Sequence, residues 1–133
     1  MNNALNLIGR LLIAALFLPA GLAKLSGFEG TVGYIESVGL PLPAVAAAAA
    51  LAVEILGSVA LIVGFQIRIV AAVLAVFTLV ASIFFHAFWA AAPEQAFVQQ
   101  LLFFKNIGVI GGLLVLVSSG AGAWSIDAKK EAE

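Results

Sequence analysis

Long apolar stretches alternate with short polar connections along this chain. Four stretches, at residues 4–24, 44–65, 67–89 and 97–118, contain few charged side chains. Each is long enough to cross the roughly 30 Å hydrocarbon core of a bilayer, which takes about 20 helical residues. A strand needs only about half that length, so these stretches favour helices. We therefore predict an all-α fold, an integral membrane four-helix bundle, with residues 1–133 forming a single transmembrane domain.

The connections predict one further helix and an orientation. The longest connection, SGFEGTVGYIESVGLPLP, contains a segment at residues 31–38 that can form a short interfacial helix before Gly39 and Pro41 end it. Only a few residues separate the second span from the third, which predicts a tight antiparallel hairpin. Basic residues dominate the side of the membrane that holds the termini, and the positive-inside rule then places both termini in the cytoplasm.

Composition supports the membrane class and excludes several others. The chain is 64% hydrophobic and 10% charged, more apolar than a soluble chain of 133 residues can hide. A net charge of −1 without a basic run argues against nucleic acid as a partner. The absence of cysteine excludes disulfide exchange and iron–sulfur ligation. The first 23 residues have the outline of a signal peptide, but we expect them to stay as the first span.

Polar side chains interrupt the apolar spans at similar depths. Glu54 is the only charged residue of its span, and a lone carboxylate there costs several kcal/mol unless it is protonated, paired or in a wet cavity. At 1.5 Å per residue, Glu54 and Lys105 lie ~15 Å and ~12 Å below the outer surface. We predict that they form an ion pair, with Lys24 also within reach of the carboxylate. The predicted cluster in the outer half of the bundle comprises Lys24, Glu54, His86, Lys105 and Asn106.

Helical phase predicts which faces point inward. Lys105 shares a stripe with Gly108 and Gly112, a spacing of small residues that lets helices approach closely. Thr78 and Ser82 continue the His86 stripe at intervals of four. A second cluster is predicted at the cytoplasmic end, where Arg10, Arg68 and Asp127 converge. The alternative for the arginines is that they extend to the lipid headgroups.

These residues also carry a family resemblance. The ordered motifs are Arg10, FLPAGLAKL at 17–25, GLPLP at 39–43, EILG at 54–57, GFQIR at 64–68, FFHAFW at 84–89, FFKNIGVIGGLL at 103–114 and SID at 125–127. Over nearly the whole chain this order resembles the DoxX family of small bacterial membrane proteins. The resemblance implies a four-helix protein of the bacterial inner (plasma) membrane. It also implies an association with redox or oxidative-stress complexes, because relatives include a subunit of an archaeal thiosulfate:quinone oxidoreductase and a component of a mycobacterial oxidative-stress complex.

Several functions remain open at this stage. The favoured one is a non-catalytic membrane subunit that docks a soluble or membrane redox partner and presents a quinone or lipid site, with His86 and Lys105 as hydrogen-bond donors. The alternative is a conduit for protons or small solutes that uses Glu54, His86 and Lys105 as relay groups. An autonomous enzyme is disfavoured, because the chain has no nucleophile–base pair, no catalytic residue and no cofactor motif. The lone histidine cannot build a metal site.

Three further alternatives concern single features. The buried ion pair can be purely structural and fix the register of the helices. The aromatic residues around His86 can pack at the lipid interface or line a ligand pocket. Gly108 and Gly112 can pack within one bundle or between two copies in a homo-oligomer.

Overall fold

The computed structural model describes residues 2–133 and confirms the all-α membrane fold. Its helices are α1 (Asn3–Ser26), α2 (Phe28–Ser37), α3 (Pro43–Val63), α4 (Ile67–Phe85), α5 (Pro93–Ser119) and α6 (Ile126–Ala132). A single 3₁₀ turn, Phe88–Ala90, precedes α5. Four of the helices, α1, α3, α4 and α5, are long and apolar enough to cross a membrane. The side of the membrane on which the termini lie stays a prediction.

The helix ends follow from local sequence. Proline occupies the first position of both α3 and α5, where its missing N–H leaves no backbone donor unpaired. Helix α3 ends at Gly64, which adopts a φ of 76° that a side chain would disfavour. Helix α2 begins three residues earlier than the predicted interfacial helix. Only Gly27 separates it from α1, so the chain resumes helical structure almost at once.

Two antiparallel helix pairs make up the bundle. Helix α1 packs along α3 and α4 packs along α5, while α3 and α4 join the two pairs. Helix α2 packs against α3 and the end of α1. The fully buried core lies toward the end that holds the termini, and it contains Leu61, Ile67, Ala71, Leu74 and Leu113. The other end of the bundle, beneath α2, is less completely filled.

The outward face of the long helices is strongly apolar. Leu12, Leu56, Val76 and Leu114 are each more than half exposed, and many similar side chains accompany them. Outward apolar side chains on helices of this length match the hydrocarbon of a bilayer. The inward positions combine large apolar side chains such as Leu61 and Leu74 with polar ones such as Glu54, so polar groups also lie inside the bundle.

The predicted packing stripe of α5 is wrong. Lys105, Gly108 and Gly112 are exposed, and a Cβ placed on Gly108 would meet no atom within 4 Å. The buried stripe of α5 is Asn106, Leu113 and Leu116 instead. Because α5 is apolar on nearly all sides, its sequence defines the inward face only weakly. The large leucines fill the core, and the adjacent glycines turn outward.

Candidate functional site

A cleft of about 690 Å³ lies between the two helix pairs beneath α2. Its walls are mainly apolar, with side chains from α1, α3 and α4. Representative wall residues are Leu16, Phe17, Ala50, Phe77, Val80 and Phe84. The five residues of the predicted outer cluster all line this cleft: Lys24, Glu54, His86, Lys105 and Asn106. The structure therefore brings the cluster together around a cavity.

The carboxylate in the cleft is paired with Lys24. The Lys24 Nζ lies 2.7 Å from Glu54 Oε1, and the Glu54 residue is only 3% exposed. Within residues 2–133 this is the only ion pair closer than 4.0 Å, so the expected pair between Glu54 and Lys105 is not formed. The partner of Glu54 comes from α1 and not from α5.

The offset of α1 relative to α3 along the bundle explains why Glu54 pairs with Lys24. A Cβ on Gly21 would lie 2.7 Å from Ile55 Cγ1 and 3.1 Å from Glu54 Cβ, so α1 and α3 are in close contact at this level. Gly21 is near the end of α1, whereas Glu54 is in the middle of α3. The first turns of α3 thus extend beyond α1, where α2 covers them. Lys24, three residues after Gly21, is therefore within direct reach of the carboxylate.

Asn106 joins α5 to α4 through hydrogen bonds. Its Nδ2 donates to Ser82 Oγ at 3.0 Å, and the Ser82 hydroxyl donates to the Thr78 carbonyl at 2.7 Å. The Thr78 hydroxyl donates in turn to the carbonyl of Leu74 at 2.7 Å. Both hydroxyls are thus used by the backbone of α4. The polar stripe of α4 positions Asn106 and does not extend the cleft toward the other end of the bundle.

His86 contacts Gln99, which the sequence analysis did not single out. His86 Nδ1 lies 2.8 Å from Gln99 Oε1. Because an amide oxygen only accepts, Nδ1 carries the hydrogen in this arrangement, and Nε2 is the nitrogen left for a ligand. Gln99 lies near the start of α5, shortly after the connection from α4. Its polar side chain at that position was the sequence feature that could have indicated the contact with His86.

For the aromatic residues around His86 the sequence left two alternatives, packing at the lipid interface or lining a pocket. Phe84 and Phe85 line the cleft, and the Tyr34 ring of α2 lies 5.1 Å from the Phe85 ring. Phe88 packs edge-on against Phe103 of α5, with 5.4 Å between ring centroids. The first pair therefore lines the cleft, and the later rings pack against one another next to it.

At the opposite end, each of the three residues of the predicted second cluster, Arg10, Arg68 and Asp127, binds the end of a helix. The Arg10 side chain is fully buried and donates to the carbonyls of Leu61 (2.8 Å) and Ile62 (3.3 Å) in the last turn of α3. It also donates to the carbonyl of Trp124 at 2.6 Å. The last carbonyls of a helix have no partner within the helix and carry partial negative charge, which a guanidinium satisfies.

Arg68 and Asp127 act in the same way on α5 and α4. Arg68 donates to the carbonyls of Val117 (2.7 Å) and Ser118 (2.6 Å) at the end of α5. Asp127 accepts from the backbone N–H groups of Gln66 (2.7 Å) and Ile67 (2.9 Å) at the start of α4. Neither arginine forms an ion pair with Asp127 in the part of the chain that the structure describes. The three residues share one end of the bundle, but their contacts are helix caps.

The cleft has apolar walls and a small number of convergent polar groups. In residues 2–133, no three His, Asp or Glu side chains are grouped closely enough to hold a metal. Apolar walls with a few convergent polar groups are typical of small-molecule sites, which enclose about 300–1,000 Å³.

These features define a multi-pass α-helical membrane protein with an internal cleft that collects its polar residues. The comparisons with known proteins agree with that class. The chain belongs to the DoxX family, whose model matches residues 5–87. This match includes Lys24, Glu54 and His86, whereas Lys105 and Asn106 lie beyond it.

Two relatives from Escherichia coli (strain K12) cover most of the chain. Inner membrane protein YqjF is 38% identical over 124 residues, which is 91% of this chain and 88% of the relative. Inner membrane protein YphA is 32% identical over 121 residues, 91% of this chain and 86% of the relative. With four spanning helices and these relatives, the protein is a multi-pass inner membrane protein.

A more distant similarity concerns part of the chain. The Surfeit locus protein 4 homolog of Schizosaccharomyces pombe is 35% identical over 72 residues, which is 53% of this chain and 24% of that protein. No solved structure matches the chain.

Proposed function

We propose that this protein is a non-catalytic membrane subunit of a redox or oxidative-stress complex that holds a quinone or a lipid in the cleft beneath α2. The observation that carries the proposal is the cleft itself, with apolar walls and with Lys24, Glu54, His86, Lys105 and Asn106 around it. A membrane-soluble ligand has the same division into an apolar chain and a polar head.

The contacts of the polar groups support a binding role over catalysis. Glu54 is paired with Lys24, His86 with Gln99, and Asn106 with Ser82. A general base or nucleophile is activated by a neighbour and directed at a substrate. These groups instead fix one another across helices, which keeps the shape of the cleft constant.

The conduit alternative lacks a continuous polar path. Between the cleft and Arg10 lies the buried apolar core, with Phe17, Leu61, Leu74 and Leu113. Ser58 and Thr78 reach this region, but each hydroxyl donates to a carbonyl of its own helix. We therefore place the conduit second. A proton flux in liposomes that depends on Glu54 would favour it over the binding role.

The orientation is part of the proposal. Both termini lie in the cytoplasm under this hypothesis, and the cleft opens in the outer half of the bilayer. Fusion of a fluorescent protein or of alkaline phosphatase to the C-terminus tests it. Cytoplasmic fluorescence without phosphatase activity is the expected result, and the reverse would invert the orientation.

The main test is purification of the tagged full-length protein from its native membrane in a mild detergent. Mass spectrometry should then find a stoichiometric partner protein and a bound quinone or lipid.

A variant that fills the cleft, Ala50→Trp, should lose the bound ligand. Its neighbour Ala49 points away from the bundle, so Ala49→Trp is the matched control and should retain the ligand. Recovery of neither partner nor ligand with the wild-type protein would contradict the proposal.

A further inference from the structure

The cleft contains more positive than negative side chains. Its two lysines, Lys24 and Lys105, face a single carboxylate, Glu54. The Lys24 ammonium is bound to that carboxylate at 2.7 Å, so the pair is neutral. In residues 2–133, the Lys105 ammonium lies within 4.0 Å of no carboxylate, and it donates no hydrogen bond to another described residue. One positive charge on the wall of the cleft therefore lacks a partner.

The depth of Lys105 makes this charge costly. It lies near the middle of α5, roughly 18 Å from the start of the helix at 1.5 Å per residue. A charged lysine within the hydrocarbon region is unfavourable, and such residues usually pair with another charged or polar group. A ligand with a negative headgroup would supply the missing charge.

The cleft is open to the hydrocarbon region. Val80 and Phe84 line it and are 47% and 43% exposed, and Lys105 is exposed as well. Helices α1 and α5 also make few contacts with each other, which leaves the bundle loosely closed between these two helices. A molecule dissolved in the bilayer can thus reach Lys105 sideways, without crossing the outer surface of the protein.

The geometry points to an amphiphile with one anionic headgroup and an apolar chain as the ligand of this cleft. The headgroup binds the Lys105 ammonium, and the neighbouring Asn106 amide offers its second N–H as a further donor. The chain lies along Phe77, Val80 and Phe84. The Glu54 carboxylate does not repel this headgroup, because it is buried and bound to Lys24. This inference rests on the ligand cleft of the proposed function and assigns its chemistry.

Two sources share this chemistry, a fatty-acid carboxylate and a lipid phosphate. Native mass spectrometry of the full-length protein in a non-ionic detergent can compare them. The probes are dodecanoate, dodecyl phosphate and dodecanol, which share one chain length and differ in the headgroup. Decylubiquinone is added as an uncharged quinone. The anions should bind about ten- to a hundredfold more tightly than dodecanol, the range expected of a charge-assisted contact.

Substitutions at Lys105 test the contact directly. Lys105→Gln should reduce anion binding to the level of dodecanol, and Lys105→Arg should retain it because the charge is kept. Lys129→Gln, which removes a lysine of the C-terminal helix α6, is the control for net charge and should not alter binding. Lys105 is exposed, so Lys105→Gln should fold, and an unchanged melting temperature would verify this.

The outcomes separate this inference from the proposed function. A preference for dodecanoate or for dodecyl phosphate that is lost in Lys105→Gln supports the inference and identifies the source. Equal binding of dodecanol and the anions, or tighter binding of decylubiquinone, overturns it while the cleft remains a binding site. Binding of none of the probes also overturns it, and copurification of a partner protein then decides the proposed function separately.

Discussion

Lys24 in the last turn of α1 binds Glu54 in the middle of α3, with 2.7 Å between Nζ and Oε1. The contact follows from the displacement of the two helices along each other, which the close approach at Gly21 sets. It also places the only buried carboxylate of the spans at the wall of the cleft and neutralises it there. Within residues 2–133, Lys105 of α5 consequently has no carboxylate within 4.0 Å.

The two partners of this ion pair should respond differently to substitution. Lys24→Gln leaves the carboxylate of Glu54 buried without its cation, and breaking a buried pair in this way costs about 3–5 kcal/mol. Glu54→Gln should cost less, because the Lys24 side chain is 30% exposed and its ammonium can turn outward. Thermal unfolding in detergent measures both changes.

The double variant and a surface control complete this test. Lys24→Gln combined with Glu54→Gln should recover much of the lost stability, since no buried charge remains. Glu36→Gln, on the exposed face of α2, should unfold like the wild-type protein. Equal losses of stability in Lys24→Gln and Glu54→Gln would show that the different burial of the two side chains does not determine the cost of each substitution.

Gly21 should tolerate no side chain, in contrast to Gly9 on the same helix. A Cβ at Gly21 would lie 2.7 Å from Ile55 Cγ1, so Gly21→Ala should force α1 from α3 and cost about 1–3 kcal/mol. A Cβ at Gly9 meets nothing within 4 Å, and Gly9→Ala should be neutral or slightly stabilising because alanine favours helix. Unfolding in detergent compares them; equal stability would refute the close helix contact.

Asp127 should control the first turn of α4. Asp127→Ala removes the acceptor of the Gln66 and Ile67 N–H groups, and loss of a helix N-cap costs about 0.5–2 kcal/mol. Hydrogen exchange should become faster at these two amides. Glu133→Ala in the same tail is the control and should leave the exchange unchanged. Slow exchange in Asp127→Ala would mean that another group caps α4.

Arg10 should not be replaceable by lysine. Its guanidinium reaches the carbonyls of Leu61, Ile62 and Trp124 at once, and a single ammonium cannot match that planar arrangement of donors. Each buried acceptor left without a donor costs about 1–3 kcal/mol, so Arg10→Lys should lower the stability by at least that amount. Lys129→Arg, at an exposed position of α6, is the matched control. A wild-type melting temperature for Arg10→Lys would exclude the capping role.

The sequence by itself determined the membrane class and the number of spans, and it predicted five polar residues that line the cleft. Hydropathy and span length are local properties, so four apolar stretches predict four spanning helices without knowledge of their neighbours. An ionisable residue such as Glu54 inside an apolar span has only the interior of the bundle as a favourable place. That argument requires no knowledge of its partner.

Only the tertiary structure decided which of these residues contact each other. The pairing of Glu54 with Lys24 depends on the offset of α1 and α3, which is set by the contact at Gly21 and by the position of α2. The exposure of Lys105 depends on the rotation of α5, and an almost uniformly apolar helix does not define its own rotation. The caps formed by Arg10 and Asp127 join residues about 50 to 60 positions apart, so they exist only once the chain has folded.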